Sequence, residues 1–409
     1  MPRLTRLLVA LTPYAVAPPR HGPQIRLAGE LGNLGESWRV IHFSQSIQRT
    51  DLPWPPRTVQ GGERWVEHRL RDPVSAAWLV GLSKLGGYPA AYADRLLALA
   101  PRRRVRAALA EADAIFVSPH YQLPWVRRHA PRSTRVVVDC HCIEGDLWPA
   151  RGAWWTRRVA REIREGELAA WRDADVVFAT CEEEAERIRG VGAREVVVVR
   201  NGVDVDAVQP VASDAERRAE RRRLGLAEDG LLAVFVGSTG YANVNALEPL
   251  QRQAAAMGDA GVQIAVVGRV SIGRAPVDNV RWVGEVPTVA PWLRAADIAL
   301  CPLLEGSGTS LKTVEYLAAG LALVSTPVGV RGLEVRDGEQ ALVVDVDAFP
   351  AAVARLANDP ALRRRLGAAA RQHAVDGFSW RAIGATAAGV FEDLARRRER
   401  DRGLLREAG

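Results

Sequence analysis

Lys312 and Glu315 stand behind a short run of glycines and hydroxyls, EGSGTS from Glu305 to Ser310. These residue types at this spacing describe a way of holding phosphate. A glycine-rich loop that opens a helix offers unpaired backbone N–H groups and the positive end of the helix dipole. Gly306 and Gly308 let the backbone approach an anion closely, Ser307, Thr309 and Ser310 add hydroxyl donors, and Lys312 adds a full positive charge. Glu315 follows Lys312 by three residues and so shares its helix side. A carboxylate there cannot help bind phosphate, but it can accept hydrogen bonds from neighbouring sugar hydroxyls. The alternative is a capped helix with a surface ion pair, and the loop alone does not separate the two.

A second set of candidates closes two apolar runs, at 114–117 and 135–139. Each ends in a histidine-bearing loop, Ser118-Pro119-His120 and Cys140-His141-Cys142. Ligands of open α/β sheets gather beyond the carboxyl ends of strands, so both histidines stand where chemistry would occur. Asp139, Glu144 and Asp146 surround His141 in sequence, where they would raise its basicity, orient its ring or simply act as caps.

The elements that must position these groups follow from hydrophobic patterning. Residues 298–301 form a short apolar run ahead of the glycine loop, which reads as a buried strand. The helix after the loop would bury Leu311, Val314 and Ala318 and end on Gly320 as a left-handed cap. Another apolar run, 321–325, completes a strand, loop, helix and strand, the unit of a doubly wound sheet. The same alternation places strands at 7–11, 39–43, 176–180 and 196–200, then at 231–236, 265–268 and 281–283. Helices are expected at 25–34, 182–189, 214–223, from about 245, and at 289–295. The charge-laced helix 214–223 reads as solvated. Residues 351–374 give two helices, and 378–397 a third with a long amphipathic face.

Length and composition agree with two domains. A chain of 409 residues exceeds one ordinary core, and 48% apolar residues suffice for two. Four cysteines, Cys140, Cys142, Cys181 and Cys301, lack CxxC spacing and suit a reducing cytosol. No apolar run reaches the length of a membrane span. Arg3, Arg6 and the apolar stretch before Ala15-Val16-Ala17 imitate a signal peptide, but Thr12 and Pro13 interrupt it, so it reads as the first strand. The net charge of +7 is carried by arginine, since Lys84 and Lys312 are the only lysines. Anionic substrates or an acidic membrane face account for that balance; nucleic acid does not, because zinc-finger spacing, an RNP-type aromatic motif and a dense lysine tail are all missing. Residues 45–110 interleave Trp54, Trp65, Trp78, Tyr88 and Tyr92 with Arg57, Arg64, Arg69, Arg71 and Arg95, which reads as a helical insertion burying its rings.

GSGTSLKTVEYLAAGLALVSTPVGVRGLE, residues 306–334, resembles the donor-binding motif of the family four glycosyltransferases, which are retaining nucleotide-sugar enzymes of GT-B fold. RNGVDVDAVQP at 200–210, DADVVFATCEEEAERI at 173–188 and FVGSTGYANVNALE at 235–248 resemble three further motifs of that family, in family order. The resemblance implies two Rossmann-like doubly wound domains facing a central cleft: 1–204 on the acceptor side, 205–377 binding the nucleotide sugar, and 378–409 a helix crossing back to the first domain plus a charged tail. It places the donor diphosphate at Gly306, Ser307, Gly308, Thr309, Ser310 and Lys312, with Gly237 and Arg269 on neighbouring loops. Its ribose hydroxyls fall to Glu315. His141 in VVVDCHCIEGD matches the family's sugar-contacting histidine better than His120. Gly22, on the loop after the first strand, and Arg26, at the start of the helix that follows, become candidates to meet donor phosphate or acceptor, unless the loop is an ordinary proline-rich turn; residues 45–110 fall where the family shapes its acceptor pocket.

Three departures qualify the match. The arginine and lysine that grip the diphosphate in many members are replaced by Ser238, Thr239, Tyr241 and Asn243. Glu305, the candidate for the catalytic first member of the family's glutamate pair, is displaced, and the aligned position holds Ser307. Ser310 stands where the related loop carries arginine. What the resemblance implies is retaining transfer of a sugar to a glycan, lipid-linked or small-molecule hydroxyl acceptor, with no metal and no cofactor, by a cytoplasmic protein. An epimerase of the same fold, or a degenerate GT-B binding module, stays open beside it. Trp148, Trp155 and Trp171, interleaved with Arg151, Arg157, Arg158, Arg161 and Arg164, add a second alternative: either a face for an anionic inner-membrane surface, or buried rings with solvated arginines.

Overall fold

The computed structural model describes residues 5–45, 58–70, 103–147 and 154–407. The chain forms two compact units, one of residues 1–200 with 381–409, the other of residues 201–380.

The first unit is built on strands β1 (Arg6–Thr12), β2 (Trp38–Gln45), β3 (Thr58–Gly62), β4 (Trp65–Leu70), β5 (Ala114–Val117), β6 (Arg135–Cys140), β7 (Val176–Ala179) and β8 (Val196–Val198). Their spatial order is β3-β4-β2-β1-β5-β6-β7-β8, and all neighbours run parallel except β3 and β4. β5 and β7 are buried at every position and β1 at all but its first residue, which is why they are continuous apolar runs rather than alternating ones. The helix Trp380–Glu407 packs into this unit from Arg381 onward. Phe391 on that helix meets Trp38, Phe116 and Phe178 at ring-centroid distances of 5.9, 5.8 and 5.7 Å. Gly384 lets it approach the end of the first helix, because a Cβ there would lie 2.4 Å from that of Asn33. Arg398 closes the contact on Asp113 at 3.1 Å.

The second unit carries β9 (Leu231–Val236), β10 (Val262–Val267), β11 (Val280–Gly284), β12 (Ile298–Cys301), β13 (Ala322–Ser325) and β14 (Ala341–Val343). The order is β11-β10-β9-β12-β13-β14, parallel throughout. Each sheet thus reverses its winding once, beside β1 in the first and between β9 and β12 in the second. The crevice beyond the carboxyl ends of those strands is where such sheets bind ligands. No helix among the described residues is long and apolar enough to cross a membrane.

Several expectations change. Residues 58–70 are a hairpin that extends the sheet, not part of a helical insertion; Trp65 is buried as expected. Trp54, Trp78, Tyr88, Tyr92, Arg57, Arg71 and Arg95 lie outside the described residues, as do Trp148 and Arg151. The first helix begins at Gly22 rather than residue 25, with Pro23 in its first turn, where a missing N–H costs nothing. Leu311 is half-buried, and Thr313, Val314, Tyr316, Leu317 and Ala318 supply that helix's inner side. In the helix Asp214–Arg223, Arg221 is buried rather than solvated, donating to the carbonyls of Ala295, Glu228 and Gly230 and pairing with Asp297. Gly320 ends its helix at φ +65°, as a left-handed cap requires.

Candidate functional site

The glycine loop of the second unit leaves β12 and enters the helix Leu311–Ala318, which Ser310 caps through Thr313 N–H at 3.4 Å. Gly306 and Gly308 have φ of +150° and +72°, values that L side chains rarely adopt. The loop's shape is imposed from outside. Arg331 donates Nη1 to the Gly306 carbonyl at 2.9 Å, and Nη2 and Nε to the Gly308 carbonyl at 2.7 and 3.2 Å. Asn201 Nδ2 bonds the Thr309 carbonyl at 3.1 Å and its hydroxyl at 2.8 Å. In a trans peptide the N–H points away from the C=O, so drawing the Gly308 and Thr309 carbonyls inward aims the amides of Thr309 and Ser310 the other way. The turn that carries Arg331 is itself locked. A Cβ on Gly329 would fall 2.3 Å from Ser325 Oγ and 2.7 Å from Cys301 Sγ, and Thr313 Oγ1 bonds the Gly329 carbonyl at 2.8 Å.

Lys312 holds its ammonium 4.4 Å from the centre of the Phe235 ring and donates to Asn243 Oδ1. Asn243 in turn bonds Ser238 Oγ at 3.1 Å, so the residues standing in for the family's cationic grip are wired to the lysine. Burial lowers the Lys312 pKa to about 8, against the attraction of Cys301 and Glu315. Burial likewise raises Glu315 to about 7, with Lys312 opposing. An arriving phosphate would supply the negative charge that this lysine lacks.

Glu305 is exposed and bonded by Asn245 Nδ2, which ties the loop after β12 to the helix Tyr241–Asp259 that follows β9. Gly237 serves the sheet. Its N–H donates to the Val267 carbonyl at 2.9 Å, its carbonyl accepts from Val270 N–H at 3.2 Å, and a Cβ on Gly268 would lie 2.3 Å from that oxygen. Arg269 is exposed and pairs at 4.0 Å with Glu285; none of its described contacts is with the glycine loop.

In the first unit, His141 follows β6 as expected, but its surroundings differ. Asp139 is fully buried and committed elsewhere, accepting from Arg26 Nη2 at 2.7 Å, Arg26 Nε at 3.1 Å and Ser118 Oγ at 2.8 Å. Asp146 pairs with Arg187 at 2.8 and 3.0 Å. Of these three acids it is Glu144 that faces the imidazole, at 3.7 Å from Nε2. Arg26 is not a phosphate ligand: it is wholly buried, also paired with Glu30 at 2.8 Å, and donates to the Val199 carbonyl at 2.8 Å. Gly22 sits in the first turn of its helix, beside a loop shaped by residues that carried no signal in sequence. Glu67 of β4 accepts from Val16 and Ala17 N–H at 3.0 and 2.8 Å, and Gln24 bonds the Ala15 carbonyl at 2.6 Å and Arg20 N–H at 2.8 Å. Glu167 performs the same service for the histidine loop, accepting from Glu144 and Gly145 N–H at 2.8 and 3.0 Å. Burial raises its pKa to about 7. On the same helix, Trp154–Asp173, Trp171 is buried while Arg157, Arg158, Arg161 and Arg164 are exposed. Arg158 and Arg161 pair with Glu162 and Glu165, which dilutes the positive face read from sequence.

Known proteins bear on these two sites. Residues 230–359 match the model of the family described as glycosyl transferases group 1, and residues 25–202 that of a glycosyl transferase 4-like domain. D-inositol 3-phosphate glycosyltransferases of Kribbella flavida and Streptomyces avermitilis are 32% and 31% identical over 53% and 64% of this chain. The matched regions cover 55% and 59% of those proteins, so the chain spans little more than half the length of the curated relatives it matches. Sucrose-phosphate synthase from Thermosynechococcus elongatus superposes with a TM-score of 0.69 at 19% identity, over 95% of this chain and 99% of that one. HepE from Anabaena, solved with UDP-glucose, gives 0.65 at 16% over 95% and 99%.

Proposed function

Because this chain belongs to the group 1 glycosyltransferases and has their GT-B fold, we propose that it moves a sugar, with retention, from a nucleoside diphosphate donor to a hydroxyl acceptor. The observation that carries this reading is the glycine loop whose carbonyls Arg331 and Asn201 hold, directly ahead of the helix that bears Lys312. The diphosphate lies on that loop and on the Lys312 ammonium, and the ribose hydroxyls bond Glu315. As the glycosidic bond breaks, charge grows on the departing phosphate, and prearranged amides with the ammonium stabilise it. Glu305, the displaced member of the glutamate pair, is engaged by Asn245 and is not assigned as a nucleophile. The leaving phosphate therefore assists the acceptor on the same face. UDP is the first nucleotide to try, because HepE is solved with UDP-glucose. A small phosphorylated polyol is the first acceptor to try, given the relatives that act on D-inositol 3-phosphate.

Calorimetry against UDP, GDP, ADP and TDP tests the donor site. Lys312→Ala removes a charge-assisted contact worth about 1.5–3 kcal/mol, so nucleotide affinity should fall about tenfold or more. Glu315→Ala should also weaken binding. The ammonium must be protonated to meet phosphate, so affinity should decline as pH rises through about 8 in the parent and lose that dependence in Lys312→Ala. Parent-like binding by both variants would show that the donor lies elsewhere.

Phosphate charge is met here by helix dipole, amides and an ammonium, with no paired carboxylates at the end of β12 to hold Mg²⁺. Transfer should survive excess EDTA. Activity lost to the chelator and restored by Mg²⁺ or Mn²⁺ would contradict this mechanism.

A further inference from the structure

Beyond β6 the chain places three different donor atoms together: an imidazole nitrogen of His141, the thiol of Cys142 and a carboxylate oxygen of Glu144, all within 4.8 Å of one another. Cys142 Sγ is 3.8 Å from Glu144 Oε1, and His141 Nε2 is 3.7 Å from the same oxygen. Around a tetrahedral zinc, the standard metal–ligand bond lengths put sulfur and oxygen ligands about 3.6 Å apart, and nitrogen and oxygen ligands about 3.4 Å apart. The two pairs that share the Glu144 oxygen therefore need to close by only a few tenths of an ångström.

Two further observations favour a ligand here over a chance cluster. The His141 side chain is 9% exposed, its Nδ1 is buried with no hydrogen-bond partner, and its Nε2 points at Glu144 from beyond hydrogen-bond range. The surroundings are also those of a braced site. Tyr121 Oη donates to the other oxygen of Glu144 at 3.1 Å, and Glu167 fixes the backbone of Glu144 and Gly145. Such outer contacts orient the ligands of a metal.

We propose that His141, Cys142 and Glu144 form a zinc site with three protein ligands and one open position, and that zinc bound there inhibits the transfer reaction. Binding releases the Cys142 thiol proton to solvent, so the sulfur joins the metal as thiolate. The mixed nitrogen, sulfur and oxygen set suits zinc better than Mg²⁺ or Ca²⁺, which take oxygen ligands. Zinc binding stands by itself. Its inhibitory effect rests on the glycosyltransferase reading together with the expectation, from the family resemblance, that His141 meets the transferred sugar.

The test uses the full chain, stripped with chelator and titrated with Zn²⁺ against a chromophoric competitor. In parallel, Cd²⁺ reports sulfur ligation by its thiolate charge-transfer absorption. About one equivalent of zinc should bind. The cadmium band should vanish in Cys142→Ser and persist in Cys301→Ser, and Tyr121→Phe should weaken zinc binding about tenfold. A parent that binds no more zinc than Cys142→Ser, or a cadmium band that survives that substitution, overturns the site. With metal-free enzyme, added Zn²⁺ should suppress turnover in the parent, and Cys142→Ser should resist it. Stoichiometric zinc at Cys142 that leaves turnover unchanged overturns the inhibition and removes His141 from the sugar, while a chain without transferase activity would still show the metal stoichiometry.

Discussion

Arg26→Met should destabilise the first unit by about 3–5 kcal/mol, the usual cost of removing one partner from a buried ion pair. The guanidinium lies between two carboxylates, Asp139 and Glu30, with all three side chains withdrawn from water. Removing it leaves two buried acids without a cation. Asp139 keeps its bond from Ser118, whereas neither oxygen of Glu30 has a partner of hydrogen-bond geometry. Burial pushes the Glu30 carboxyl well above its usual range, against the pull of Arg26 and with help from Asp139. Between the ordinary carboxylate value and this raised one, the folded state holds a proton that the unfolded state releases. Stability therefore falls as pH rises through that window. Glu30→Gln should flatten the slope and leave the protein at least as stable at alkaline pH. Denaturant unfolding of the three proteins between pH 5 and pH 9 checks both statements. A loss under about 1 kcal/mol for Arg26→Met would show that the acids are neutralised without it.

His141→Ala should lower turnover by about 10²-fold, the low end for a positioned catalytic group, while nucleotide affinity stays at the parent value. The split follows from placement: His141 closes β6 in the first unit, and the candidate donor loop belongs to the second. Equal losses of melting temperature and activity would instead make His141 a packing residue. The imidazole is nine-tenths buried, so that alternative is a physical one, and measuring both quantities on one preparation separates them.

Buried parallel strands were readable because they are apolar on both faces, and β5, β9 and β12 lie at the residues expected from their runs. The hairpin β3-β4 was not. Its inward positions on β4 are Trp65, Glu67 and Arg69, so the alternation that should mark a half-buried strand is broken by a buried acid and base. Lys312 and its loop were legible because the whole motif is local, and the family followed from four such motifs in order. Arg26 was misread for the opposite reason. Its spacing to Glu30 is that of an ordinary helix pair, and the partner that draws it inside, Asp139, lies 113 residues away. Arg331 shows the same limit. Nothing within its own stretch announces that its three hydrogen bonds end on a loop some 23 residues earlier.

Those three hydrogen bonds have a consequence for how this protein could have diverged. Arg331 grips only main-chain oxygens, which every amino acid carries, so the bend of the loop is indifferent to the side chains mounted on it. A position such as Ser307 can then exchange its chemistry while the scaffold holds its contour. Ser307→Glu would place a carboxylate there without removing any bond of Arg331, all three of which end on main-chain oxygens.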